Sequence, residues 1–215
     1  MSLSLIKSIV SSQENKLGRD EGSTKIIAVS KLQPNERVKS VLESGHRIFG
    51  ENRVQEASRK WPEFKKKFKN IELHLLGPLQ RNKVRQAVEL FDFIHTVDSL
   101  KLAQRLSLVA KDVGCCPNLF VQVNTGQEPQ KAGVKIKDLK KLLVTCRELD
   151  LPVVGLMCIP PVEEDPSVHF NLLKSLGEKY DIVELSMGMS GDFERAILAG
   201  ASYIRVGSAI FGERP

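Results

Sequence analysis

Cysteine is scarce in this 215-residue sequence: Cys115, Cys116, Cys146 and Cys158 are all there is, and no Cys-x-x-Cys pair occurs. Adjacent Cys115-Cys116 is poor spacing for a structural zinc site, so the four read as free thiols of a reducing compartment. Long apolar runs are missing too, and nothing approaches the ~20 apolar residues of a membrane span. The first ten residues have an early lysine and no long apolar core, which reads as an amphipathic helix rather than a signal peptide. His46, His74, His95 and His169 show no metal-ligand spacing. His74 and His95 fall in strand-like runs, where a satisfied core or interface histidine is the plain reading. No Pro/Gly/Ser-rich linker interrupts the chain. These absences exclude a disulfide scaffold, a membrane span, a metal site and a catalytic triad. They leave the expectation of a cytoplasmic protein whose residues 1–215 form a single domain.

What is present is globular: hydrophobic residues make up 41% and charged ones 27% of the chain. The formal net charge of +6 suits either nucleic acid or an anionic small ligand. The densest basic run, Lys65-Lys66-Lys67 with Lys60 and Lys69, surrounds Trp61, Phe64 and Phe68. Those aromatics recur at helical spacing, which predicts a core-facing stripe with a solvated lysine face and no nucleic-acid contact.

Short β-branched or apolar runs at 25–30, 47–49, 71–76, 93–97, 119–124, 153–158, 182–187 and 203–206 alternate with amphipathic helical patterns. The helical patterns include 35–44, 54–68, 82–90, 100–113, 136–149 and 193–199. Strict alternation predicts parallel strands joined by right-handed crossovers, and the strand count is that of an α/β (β/α)8 TIM barrel. A helix precedes the first strand and is expected to cap the barrel bottom or pack alongside it.

Such a barrel works from the C-terminal ends of its strands. The last strand runs into Gly207-Ser208, a turn whose backbone N–H groups point beyond the strand end, as a phosphate site requires. Gly207 lets the backbone approach closely and Ser208 adds a hydroxyl. Ser186 and Gly188 fall on the preceding strand, where these barrels commonly bind phosphate. Lys31 follows the first strand, and a neutral lysine amine adds to an aldehyde. Lysine and phosphate cradle together suggest a phosphorylated carbonyl compound held as a Schiff base. Arg205 shares a strand face with Tyr203 and Gly207, so it points inward and needs an acceptor, either a ligand atom or a carboxylate such as Glu184. Asn52 and Asn124 are strand-end amides that either bind a ligand or cap the next helix.

In these motifs the chain resembles the pyridoxal 5′-phosphate homeostasis proteins, stand-alone barrels similar to the N-terminal domain of alanine racemase. The residues that carry the resemblance are Ala28-Val-Ser-Lys-Leu-Gln-Pro34, Phe49-Gly-Glu-Asn-Arg-Val-Gln-Glu-Ala57 and Leu76-Gly-Pro-Leu-Gln-Arg-Asn-Lys83. Val123-Asn124, Gly155-Leu-Met-Cys-Ile-Pro160, Leu185-Ser-Met-Gly-Met-Ser190 and Arg205-Val-Gly-Ser-Ala-Ile-Phe-Gly212 continue it in family order. The resemblance implies pyridoxal 5′-phosphate held on Lys31 and a phosphate held by Ser186, Gly207 and Ser208. It further implies Arg205 facing the pyridine nitrogen and Asn52 and Met157 bordering the ring. Pro78, Cys158 and Ser208 depart from the family pattern, which commonly has histidine, threonine and threonine there.

The resemblance implies a protein that binds and buffers the cofactor without catalytic residues or efficient turnover. Apo forms of enzymes that use the cofactor are its expected further partners, and the absence of an extra apolar patch in the sequence predicts a monomer. The alternative is an amino-acid racemase, which needs acid–base groups on both faces of the cofactor. The only tyrosines, Tyr180 and Tyr203, lie toward the wrong end of the barrel for that. An arginine facing the pyridine nitrogen leaves it unprotonated and a poorer electron sink, which disfavours most carbanion chemistry. A sugar-phosphate isomerase on the same barrel would need a strand-end carboxylate base, for which Glu51 and Asp98 are the candidates.

Overall fold

The apolar runs become strands because alternate side chains have two surfaces to fill, the barrel interior and the seam beneath the helices. The computed structural model describes residues 1–213. Its strands are β1 (Lys25–Val29), β2 (Ile48–Glu51), β3 (Glu72–Leu75), β4 (Phe93–Val97), β5 (Asn118–Asn124), β6 (Val134–Lys135), β7 (Val153–Met157), β8 (Glu184–Met189) and β9 (Tyr203–Val206). All pairings are parallel, in the order β4-β3-β2-β1-β9-β8-β7-β5, and a further β4–β5 pairing closes the ring. The two-residue β6 adds to β5 outside that ring. The result is a (β/α)8 barrel, as the alternation predicts.

The helices are α1 (Leu3–Lys16), α2 (Asn35–Glu43), α3 (Val54–Lys67), α4 (Val84–Leu90), α5 (Leu100–Val113), α6 (Ile136–Glu148), α7 (Pro166–Lys179), α8 (Phe193–Leu198) and α9 (Ser208–Phe211). The N-terminal helix α1 takes the second of its two expected places, alongside the barrel against α8. Glu14 at its end accepts from the N–H groups of Gly22 and Thr24, at 3.0 and 2.6 Å, which fixes the approach to β1.

Outward-facing strand residues such as Phe49, Leu73, Leu156 and Ile204 join helix residues in the main apolar core. Trp61 and Phe64 of α3 are buried in it, each worth about 1.5–3 kcal/mol by area removed from water. The lysine face of α3 is only partly solvated. Lys66 pairs with Glu63 at the surface, but Lys60 is turned under the helix. The cause is Glu51, a fully buried carboxylate on the outer face of β2 that needs a cation.

The interior is filled differently, by Ile27, Val29, Leu76, Met157 and a cluster of rings from His74, Phe93, His95, Phe120 and Tyr203. Both strand histidines are fully buried and hydrogen-bonded. All four cysteines are free thiols. No helix among the described residues is long and apolar enough to cross a membrane.

Candidate functional site

Lys31 stands in the turn after β1, and that turn is held from outside the barrel. Lys60 Nζ donates to the Ser30 carbonyl at 2.9 Å, and Glu56 Oε1 accepts from the Leu32 N–H at 2.7 Å. Leu32 has φ 58°, a left-handed conformation that a leucine keeps only when its surroundings impose it. Behind the clamp, Glu51 Oε1 accepts from Ser30 Oγ at 2.7 Å and from Lys60 Nζ and Trp61 Nε1 at 3.0 Å each. Burial raises the Glu51 pKa, and the Lys60 charge works against that rise.

A cavity of about 300 Å³ opens at the C-terminal mouth of the barrel beside this turn. Lys31, Asn52, Arg205, Gly207 and Ser208 all line it. Its apolar walls are Val29, Leu76, Ile159 and Met189. Asn52 reaches the cavity because β2 and β3 close up beneath it: any Cβ at Gly77 would land on the Asn52 carbonyl. Arg205 is 5% exposed and forms the polar floor. Its NH1 donates to Ser186 Oγ and its NH2 to the Cys158 carbonyl, both at 2.9 Å. The expected carboxylate partner Glu184 is not used, because Arg205 meets its acceptors nearer the cavity. Burial depresses the Arg205 pKa, while the charge of Asp192 is among the influences that raise it.

Ser186 and Met157 do not line the cavity. The register pairs Met157 with Ser186 and Ser186 with Tyr203, two residues upstream of Arg205 on β9. Both are fully buried, one layer below the floor. Ser190 and Gly191 stand in the wall instead. Ser190 Oγ accepts from the Gly207 N–H at 3.4 Å, and Asp192 Oδ1 accepts from the Met189 N–H at 2.5 Å, which folds the 189–192 turn over the mouth. The sequence carried a signal for this turn, a strand-end Gly188 followed by Ser190-Gly191-Asp192.

Asn124 has neither of its expected roles. Its side chain organises its own loop, donating to the Glu128 carbonyl at 2.8 Å and accepting from the Glu128 N–H at 3.2 Å. The candidate carboxylate bases also lie elsewhere: Glu51 faces α3, and Asp98 lines a separate depression with Lys135 and Asp138. Lys25 Nζ donates to the Tyr203 hydroxyl at 3.1 Å toward the opposite mouth, and Tyr203 does not line the cavity. Of the residues that depart from the family pattern, Pro78 lines an adjoining groove with Arg53 and Lys83. Cys158 is buried, which pushes its thiol up to about 12.

A parallel barrel with a lysine at its C-terminal mouth, a buried arginine floor and serine hydroxyls on the last two loops is one recognisable class. The family model described as alanine racemase, N-terminal domain, matches residues 12–215. The pyridoxal phosphate homeostasis protein of Vibrio cholerae is 39% identical over 217 residues, covering 95% of this chain and 92% of that protein. That of Escherichia coli K12 is 34% identical over 222 residues, covering 99% and 95%. The chain belongs to the pyridoxal phosphate homeostasis protein family. PipY of Synechococcus elongatus, solved with pyridoxal phosphate bound, superposes with a TM-score of 0.83 at 38% identity, covering 94% of this chain and all of that one. An alanine racemase of Clostridium difficile shares the fold alone, with a TM-score of 0.71 at 15% identity over 57% of its length.

Proposed function

We propose that this protein binds pyridoxal 5′-phosphate as a Schiff base on Lys31 and buffers or delivers it without efficient turnover. The observation that carries the reading is one cavity bounded by Lys31, Arg205 and the hydroxyl-bearing residues Ser190 and Ser208. This donor set fits the cofactor: an amine for the aldehyde, hydroxyls for the phosphate, an arginine for the ring nitrogen, and apolar walls for the ring faces. The names of the curated relatives and the ligand bound in PipY support the same reading.

Pyridoxal phosphate supplies an aldehyde that condenses with a primary amine. Lys31 would hold the cofactor through its side-chain amine, the bond to the aldehyde carbon forming with loss of one water. Arg205 has donors only, so it binds the pyridine nitrogen in its unprotonated form, which weakens the ring as an electron sink. Asn52 borders the ring edge, while Ser190 and Ser208 hold the phosphate. Tyr203, toward the other mouth, is not placed to act as a second base from the cavity. A carrier of this kind works in the cytoplasm, as a monomer, and hands the cofactor to apo enzymes.

The test is the visible absorbance spectrum of the protein given pyridoxal phosphate, beside Lys31→Ala. A band that survives dialysis and is trapped by borohydride on a Lys31 peptide supports the reading. A wild type without such a band overturns it.

A further inference from the structure

Five polar groups stand in single file through the barrel interior. Glu72 Oε1 meets His74 Nε2 at 2.9 Å, and His74 Nδ1 meets His95 Nε2 at 2.8 Å. His95 Nδ1 meets Ser186 Oγ at 2.9 Å, and Ser186 Oγ receives Arg205 NH1 at 2.9 Å. The file begins at the N-terminal rim, where Glu72 is half-buried, and ends in the floor of the cavity. The two rings are wedged in place: His95 stacks on Phe120 with centroids 4.2 Å apart, and His74 on Phe93 at 4.5 Å.

The donor of each link follows from the ends. A guanidinium has only donors, so Arg205 gives a proton to Ser186 Oγ. The single Ser186 O–H then donates to His95 Nδ1. A neutral imidazole carries one N–H, so His95 holds its proton on Nε2 and donates to His74 Nδ1. His74 in turn holds its proton on Nε2 and donates to the Glu72 carboxylate. Reversing the upper link would leave the Ser186 hydroxyl proton without an acceptor in a fully buried position, a cost comparable to a lost hydrogen bond. Burial lowers the pKa of both rings, in keeping with neutral imidazoles. Burial raises the Glu72 pKa, but the hydrogen bond from His74 and nearby charges, Lys25 included, bring it below the ordinary value.

We propose that Ser186, His95, His74 and Glu72 form a one-way hydrogen-bond chain that positions Arg205 under the cofactor, with Glu72 anchoring it from the opposite mouth. The proposal rests on the reading that the cofactor ring lies over Arg205. The chain is not a proton wire, because its upper end never gives up a proton. With NH1 committed to Ser186 and NH2 to Cys158, the remaining guanidinium N–H groups are aimed by the chain and not by the ligand. Ser186 therefore acts through Arg205 and not on the phosphate.

The experiment has two readouts, the ¹⁵N spectrum of the histidine rings in the apo protein and the dissociation constant for pyridoxal phosphate. Glu72→Gln keeps an acceptor for His74, whereas Glu72→Ala, at the partly exposed rim, removes it. The wild type and Glu72→Gln are expected to hold His74 and His95 as neutral Nε2–H tautomers and to bind alike. Glu72→Ala should mix the His74 tautomers and weaken binding about fivefold, and Ser186→Ala should weaken it about tenfold, as loss of one buried hydrogen bond implies. Finding either ring as Nδ1–H or as a cation in the folded wild type overturns the chain. Unchanged affinity in Glu72→Ala and Ser186→Ala, with the Lys31 absorbance band retained, overturns the positioning role. A wild type with the expected tautomers but no band overturns the cofactor reading, and the positioning role with it.

Discussion

Lys60 Nζ donates to the Ser30 carbonyl at 2.9 Å, so a helix on the outside of the barrel grips the chain one residue before Lys31. The same ammonium meets Glu51 at 3.0 Å and Glu56 at 2.9 Å, and Glu56 holds the N–H one residue after Lys31. Lys31, which lines the cavity, is thus flanked by two backbone contacts made from outside the barrel.

Lys60→Met leaves the Glu51 carboxylate buried without its cation, and removing one member of a buried pair costs roughly 3–5 kcal/mol. Burial already raises the Glu51 pKa, and without Lys60 it rises further. The folded state then keeps a proton that the unfolded state releases as pH rises, so stability is lost in the alkaline direction. Urea unfolding at about pH 5 and about pH 8 should show the larger deficit at the higher pH. A deficit equal at both would assign the loss to packing.

Ser190→Ala and Ser208→Ala each remove a hydroxyl from the cavity wall. A hydrogen bond to a charged group is worth about 1.5–3 kcal/mol, so each variant should weaken pyridoxal phosphate binding about tenfold or more. Binding of pyridoxal, which lacks the phosphate, should change little. Equal losses for both ligands would place the hydroxyls on the ring.

Gly188 has φ 89°, and a Cβ there would collide with the Cβ of Ala196. Gly188→Ala should therefore lose about 1–3 kcal/mol from backbone strain alone, with overpacking against α8 in addition. Gly191→Ala meets open space and should melt like the wild type. Thermal unfolding of the pair reads the difference directly.

Period-two and helical spacing identify which residues face inward, and that much of the fold and site was legible: the eight strands, the buried stripe of α3, the inward Arg205, and the lysine at a strand end. Depth along the barrel is another matter, because it depends on strand stagger. Ser186 and Met157 face inward but lie one layer below the cavity, which the pairing of Ser186 with Tyr203 reveals and alternation does not. Between Ser186 and Met189 the register of β8 shifts against β9, so the strand end that lifts Ser190 into the wall breaks the alternating rule. The inward turn of Lys60 was hidden for a related reason. Its partner Glu51 is buried only once β2 has its outer face under α3.

His46 is buried behind β2, which lowers its pKa from 6.5 to about 4, with the Lys7 charge adding to the effect. As pH falls, the unfolded chain takes up this proton first, so stability drops between about pH 6.5 and about pH 4, by roughly 3 kcal/mol from this site. His74 and His95, lowered by burial, act with the same sign. His46→Gln should flatten the acid limb of the stability profile. An unaltered limb would assign acid unfolding to other groups.

The barrel closes where its first strand meets its last, with Ile27 beside Arg205 and Ala28 beside Val206. Lys31 leaves one side of that seam, and Arg205 and Ser208 come from the other. A nascent chain on the ribosome that has made β1 but not β9 carries Lys31 and none of the floor, so the cavity forms only when the ring is completed. A ligand that binds only the closed ring then weights the equilibrium against reopening, by an amount set by its free concentration relative to its dissociation constant.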